Sequence, residues 1–278
     1  MIRGLYTGAS GMLSQSLRMD AVSNNLANVD KTGYKKDITI FKAFPEMLLR
    51  RINDDGVTKF PLGSYDKMPI VGRLGTGVEV NELYTDHNQG SLKQTDNPFD
   101  LAIEGKGFFT IETERGLRYT RNGSFILDKD NYVVTKDGYK VLGENGYIQV
   151  QGNNFKVNDN GDIIVNLDLY NRQLVSVNEN DWAGSTVLDR FRIVSFRELR
   201  ELKKEGNSFY YETEFSGPPR TPAQMPKLRQ GFLEHSNVNI VQEMVEMIEV
   251  QRAYEANSKS VTTHDAALGK LINDGARI

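Results

Sequence analysis

Helical spacing occupies the two ends of this chain and gives way between them to short runs broken by turns. No other feature limits the fold as much. From residue 2 to 29, Ile2, Leu5, Ala9, Met12, Ser16, Met19, Ser23 and Leu26 recur at steps of three and four. That spacing lines one face of a helix and suits packing along another helix. Tyr6, Leu13 and Ala27 widen the stripe. Small or polar residues at Ala9, Ser16 and Ser23 permit close approach but bury modest area, so a helix here, about 40 Å long, is marginal alone. Residues 237 to 273 repeat the pattern through Ile240, Met244, Met247, Gln251, Tyr254, Ser258, Val261, Asp265, Leu268 and Ile272. Asn239 is placed to cap this second helix, with Gln242 as its reciprocal partner.

The first helix closes in Met19–Lys36. Gly33 suits the left-handed residue that ends a helix, and Lys31, Lys35 and Lys36 suit its negative end. Asn24, Asn25 and Asn28 are poor helix formers because their amides compete for backbone groups. Their presence makes sense if the amides bond a neighbouring helix or chain. A solvated polar face is the plainer alternative.

Between the helical ends, Phe99–Ile103, Phe108–Glu112, Leu117–Thr120, Ser124–Leu127, Tyr132–Thr135, Tyr139–Leu142, Tyr147–Val150 and Asp162–Leu167 read as strands, with Phe191–Phe196 and Ser208–Thr213 after them. Arg121-Asn122-Gly123, Asp137-Gly138, Asn145-Gly146 and Asn160-Gly161 separate them as hairpin signals. Residues 37–75 read as a connector in which Phe41, Phe44, Met47, Leu48 and Leu49 form a short apolar helix or docking segment. Asp54-Asp55-Gly56, Pro61, Gly63 and Pro69 then break the pattern. Four prolines in Ser216–Pro226 predict an extended connector.

The chain lacks cysteine, which excludes disulfides, thiol catalysis and thiolate metal sites. A net charge of −3 gives no basis for nucleic-acid binding. No apolar run reaches a membrane span. MIRGLYTGASGMLSQ has no sustained apolar core, which predicts export without a cleaved signal peptide or a cytoplasmic protein. His87, His235 and His264 lack partners at metal spacing, and Asp128-Lys129-Asp130 fails as a calcium loop because Val133 and Tyr139 stand where glycine and glutamate are needed. No catalytic, metal or cofactor site is expected.

The motif Asn24, Asn25, Ala27, Asn28 followed by Thr32, Gly33, Tyr34, Lys35 resembles the N-terminal signature of the flagellar rod and hook proteins. Gln230, Gly231, Leu233, Glu234, Ser236, Asn237, Val238, Asn239, Val241 and Glu243, then Met247, Ile248, Gln251–Glu255, Asn257 and Lys259, resemble its C-terminal signature. Asp100–Phe109 and Tyr119–Phe125 resemble its β-domain segments, so the likeness covers nearly the whole chain. It points to the FlgF and FlgG branch. Phe41-Lys42-Ala43-Phe44-Pro45, standing where distal-rod proteins carry Tyr-Gln and then Pro-Gly, favours the proximal-rod type.

The resemblance implies an α+β fold: N- and C-terminal helices (1–36 and 231–278) forming a coiled coil, connectors at 37–75 and 218–230, and an inserted antiparallel β domain at 76–217, a small barrel or sandwich. It implies a structural rod subunit of the basal body in the periplasm, polymerising head-to-tail into a hollow tube that transmits torque and passes exported subunits. Its partners are then copies of itself and other rod proteins, with hook and ring proteins as further candidates. Asn24, Asn25, Asn28, Thr32, Gly33, Tyr34, Asn237, Asn239, Met247, Gln251, Arg252 and Tyr254 become subunit or interhelical contacts, and the helices order only on assembly. The alternative is a soluble β-domain binding module on a stable helical hairpin.

Overall fold

The computed structural model describes residues 2–52, 58–60, 63–65, 68–150, 155–166, 185–206 and 208–275. Asp54-Asp55-Gly56, Pro61 and Leu167, used in the sequence reading, lie outside them. The chain divides into two units. One comprises residues 1–24, 38–83 and 241–278, and the other residues 25–37 and 84–240.

In the first unit, helix α1 (Ile2–Ala27) and helix α2 (Ile240–Gly275) run antiparallel. A Cβ on Gly4 would lie 2.5 Å from His264 Nε2, on Gly8 2.8 Å from Val261 Cγ2, and on Gly11 2.8 Å from Asn257 Nδ2. Further along, Arg18 meets Glu246 at 2.7 Å. The seam therefore follows Gly4, Gly8, Gly11 and Arg18, with Ser14, Ala21 and Val22 buried alongside. This corrects the expected register. Ala9, Ser16 and Ser23 are exposed, and the line on α2 facing α1 runs through buried Glu243 and Val250 and half-buried Asn257 and Val261, whereas Gln251 and Asp265 are exposed. The physical reason is distance: at Gly4, Gly8 and Gly11 the α2 side chains come too close for even a Cβ, and Leu5, Met12, Met19 and Leu26 of the predicted stripe are half-buried.

Residues 37–75 contain strands, and Phe41 and Met47–Leu49 lie in them rather than in the short apolar helix, one of two expectations for this stretch. Asp37–Ala43 pairs with Val78–Thr85, and Met47–Arg50 pairs antiparallel with Ile70–Leu74, Met47 opposite Leu74. Three consecutive β-branched residues and an aromatic at Ile38-Thr39-Ile40-Phe41 favour strand over helix. Main-chain groups at the start of Val78–Thr85 and just before it dock on α1: Thr7 Oγ1 donates to Thr76 O at 3.0 Å and Ser14 Oγ to Val78 O at 3.1 Å.

The second unit is β-rich, and the pairings of its larger sheets are antiparallel. Its main sheet orders Phe125–Leu127, Val133–Thr135, Lys140–Val141, Phe108–Thr113, Gly116–Thr120, Phe209–Tyr211 and Lys203–Glu205, with Ile193–Val194 also on the Phe108 strand. Both faces are covered. Phe109, Ile111, Phe125 and Phe191 pack on one side with Leu101, Ile103 and Leu228. Phe108, Tyr119, Phe196 and Tyr210 pack on the other. Double-sided burial explains why all of Phe108-Phe109-Thr110-Ile111 is buried, with Phe108 on one face and Phe109 and Ile111 on the other. Asn122-Gly123 is not the predicted hairpin turn. It links unpaired strands and lies so close to Leu101 that a Cβ on Gly123 would stand 1.6 Å from the Leu101 carbonyl oxygen. Tyr147–Val150 makes isolated bridges instead of a strand. Lys227–Gln230 pairs with Leu101–Glu104 and Phe232–Glu234 with Leu92–Gln94. Strands thus occupy residues assigned above to the connector at 218–230 and to the start of the C-terminal helical segment.

Candidate functional site

Three stretches far apart in sequence converge in the second unit on a buried carboxylate. Glu234 ends the strand Phe232–Glu234 and has a fully buried side chain. Lys35, also fully buried, donates from Nζ to Glu234 Oε1 at 2.5 Å and to the Asn88 carbonyl at 2.6 Å. Gly90 N–H donates to the same Glu234 oxygen at 3.0 Å. Arg121, just past the strand Gly116–Thr120, approaches Glu234 Oε2 at 3.4 Å and donates to the Gly105 carbonyl at 2.6 Å. Each charge is matched by an opposite charge or a carbonyl, which buried ions require.

Around this clasp the turn after α1 is locked in place. Gly33 N–H donates to the Glu234 carbonyl at 2.8 Å. Gly33 has φ +68°, and a Cβ there would stand 2.5 Å from the Asn122 nitrogen, so both conformation and space call for glycine. Thr32 Oγ1 donates to Asn122 Oδ1 at 2.7 Å. Asn25 is 2% exposed, and its amide closes the turn from the helix side: Nδ2 donates to the Asp37 carbonyl at 2.9 Å, while Oδ1 accepts Asp37 N–H at 2.9 Å and the Tyr34 hydroxyl at 3.1 Å. Lys204 donates to the Lys35 carbonyl at 2.5 Å and to Asp37 Oδ1 at 2.7 Å, with its ammonium 4.4 Å from the centre of the Tyr34 ring. From the other side Asn237 Oδ1 accepts Lys36 N–H at 2.8 Å, and its Nδ2 donates to the Asp86 carbonyl at 2.8 Å.

Burial sets the electrostatics. Desolvation draws Lys35 below the usual lysine range, with Glu234 pulling the other way. Arg121 and Lys204 are lowered for the same reason, opposed by Glu234 and Asp37 respectively. Burial, then the positive charges of Lys35 and Arg121, pushes His87 down to about 4. The Tyr210 phenol is raised by burial.

The structure thus gathers Asn25, Thr32, Gly33, Tyr34 and Asn237 in one place, with Asn28 in the same turn, where its N–H donates to the Asn25 carbonyl at 3.2 Å. Asn24 is exposed and falls in the other unit. Asn239 stands immediately before α2. Met247, Gln251, Arg252 and Tyr254 lie on α2, Met247 partly buried and the other three exposed. Gln251 donates to Glu255 at 3.2 Å along its own helix. Sequence reasoning did not mark Lys35, Arg121, Glu234, Lys204 or His87 as site residues. The available signal was a single charge within each signature: Lys35 after Gly33-Tyr34, Arg121 within Tyr-Thr-Arg-Asn-Gly, Glu234 after Leu233. Among the described residues no group of histidines and carboxylates is placed to hold a metal, and no helix is long and apolar enough to cross a membrane.

Comparison with known proteins falls on the same stretches. Residues 5–35 match the family model "Flagella basal body rod protein", residues 102–165 "Flagellar hook protein FlgE/F/G D1 domain", and residues 229–274 "Flagellar basal body rod FlgEFG protein C-terminal". The flagellar basal-body rod protein FlgG of Borreliella burgdorferi is 36% identical over 279 residues, covering 97% of each chain. FlgG of Buchnera aphidicola from Acyrthosiphon pisum is 34% identical over 276 residues, covering 98% of this chain and 99% of its own. The flagellar hook-basal body complex protein FlhO of Bacillus subtilis is 32% identical over the full length of both.

Proposed function

The chain belongs to the flagellar basal-body rod proteins of the FlgG type, and from that premise we propose that it is a structural subunit whose copies stack head-to-tail into the periplasmic rod. It is a structural protein and not an enzyme, located in the flagellar basal body and assembling with other basal-body proteins. The finer reading is that α1 and α2 form a coiled coil lining a hollow tube, reached by export without a cleaved signal, with the helices ordering fully only on assembly.

One observation carries this reading. The seam between α1 and α2 uses glycines, while many large apolar side chains of both helices stay exposed. Tyr6, Leu13 and Leu17 on α1, and Val241, Met244, Val245, Ile248, Leu271 and Ile272 on α2, are exposed, Val241 by 69%. The ribbon Met47–Arg50 with Ile70–Leu74 likewise exposes Met47, Leu48, Leu49, Ile70 and Val71. Two-stranded ribbons and long helices with thin seams gain little from their own packing, and exposed apolar surface of this extent marks contact with other molecules. Ordering each residue costs about 1–2 kcal/mol of backbone entropy, and neighbouring subunits supply the burial that offsets it. A heterologous contact whose rotation does not close yields an open helical filament.

The test replaces Leu13 and Val245 by glutamate in a strain lacking its own copy. Rods should fail to form, while the isolated variant keeps the β-rich unit's near-ultraviolet signature. Normal rods in that strain would end the proposal.

A further inference from the structure

We propose that His87 makes the clasp around Glu234 an acid-sensitive latch: when the imidazole takes up a proton, the junction holding residues 31–37 and 232–237 opens. The inference concerns the free chain and goes beyond the rod assignment. His87 lies within the five-residue stretch 86–90, which supplies partners to the clasp on either side of it. Asp86 N–H donates to the Lys36 carbonyl at 2.9 Å, and the Asp86 carbonyl accepts from Asn237. The Asn88 carbonyl accepts from Lys35, and Gly90 N–H donates to Glu234. Displacing the His87 ring therefore moves contacts of Lys35, Lys36, Glu234 and Asn237 together.

The ring gains support for a second proton only from the Leu199 backbone among the groups that act on it. It packs against Phe108, centroids 5.7 Å apart and edge-on, and against Tyr210 at 5.3 Å. Neither of its nitrogens has a hydrogen-bond partner within bonding geometry, and the Tyr210 hydroxyl beside it also lacks one. The Leu199 backbone favours the protonated ring, more weakly than burial and the neighbouring charges oppose it. The cations facing it are Lys35, Arg121 and Lys204. The carboxylates of the cluster are engaged: Glu234 by Lys35, Arg121 and Gly90, and Asp37 by Lys204 and Thr85. Asp86 accepts from Asn88 N–H at 3.1 Å. An imidazolium here adds one more buried cation among three.

The direction follows from linkage. The folded chain holds His87 near 4 against 6.5 when exposed, so the folded form keeps it neutral. Its contribution is complete above pH 6.5 and is lost as pH falls from 6.5 towards 4. At pH 4 the equilibrium for opening should be about 150-fold larger than at pH 8 through this residue alone.

The experiment is amide hydrogen exchange on the full-length chain and on His87→Phe between pH 8 and pH 4, corrected for intrinsic exchange. Phenylalanine keeps an aromatic ring between Phe108 and Tyr210 and removes the proton site. Protection in 31–37 and 232–237 should fall with acid in the parent chain and hold about 150-fold better in the variant at pH 4. Parallel loss in both overturns the proposal. If His87→Phe does not fold, proton NMR titration of the His87 ring in the parent chain decides: a midpoint well below 6.5 supports the latch, and one at or above it overturns it. Neither readout depends on rod assembly, so this inference and the rod assignment can fail separately.

Discussion

Replacing Glu234 by leucine should destabilise the β-rich unit more than any other single change in the clasp. Lys35 and Glu234 meet at 2.5 Å with both side chains fully buried, and Arg121 is 5% exposed. Removing one member of a buried pair costs about 3–5 kcal/mol, because the remaining charge stays desolvated and unmatched. Glu234→Leu leaves two such cations, which places it at the upper end. Lys35→Met leaves Glu234 with Arg121 and the Gly90 N–H, so its cost should be nearer about 1–3 kcal/mol. The double variant keeps only Arg121, already bonded to the Gly105 carbonyl. It should be more stable than Glu234→Leu alone, which is a coupling between the two sites. A domain holds about 5–15 kcal/mol in total, so the single variant should lose a third of it or more. Urea unfolding of the three variants, with unchanged m-values, measures these differences. The reasoning is refuted if Glu234→Leu stays within about 1 kcal/mol of the parent, or if adding Lys35→Met brings no recovery.

Two further outcomes separate local roles. Asn25→Leu should destabilise the β-rich unit by about 2–4 kcal/mol, since the Asp37 N–H, the Asp37 carbonyl and the Tyr34 hydroxyl each lose a partner; exposed Asn24→Leu should change that unit little, and equal effects in thermal unfolding would contradict the assignment. Gly8→Val should separate α1 from α2, because even a Cβ would come within 2.8 Å of Val261 at a cost of about 1–3 kcal/mol, seen as lost cross-linking between cysteines placed at Arg18 and Glu246; undiminished cross-linking would count against the glycine seam.

Sequence alone was enough for the large divisions. Steps of three and four at both ends announced α1 and α2, and short apolar runs between turn residues announced the β-rich unit, because both periodicities are local properties of the backbone. Family signatures likewise pointed to the rod proteins before any fold was seen. Tertiary structure decided which face and which partner. A stripe of leucines and methionines predicts a helical face, yet glycines form the seam, since how closely two backbones approach cannot be read from either helix separately. Leu48 read as part of a short apolar helix or docking segment, and it stands exposed on a two-stranded ribbon. Asn25 looked like an interhelical amide, and its hydrogen bonds go to Tyr34 and Asp37 within one turn. Lys35, Arg121 and Glu234 are separated by 86 and 113 positions along the chain, and their individual charges look like any other surface charge. Only the fold removes all three from water together, and desolvation turns ordinary charges into the groups on which the junction depends.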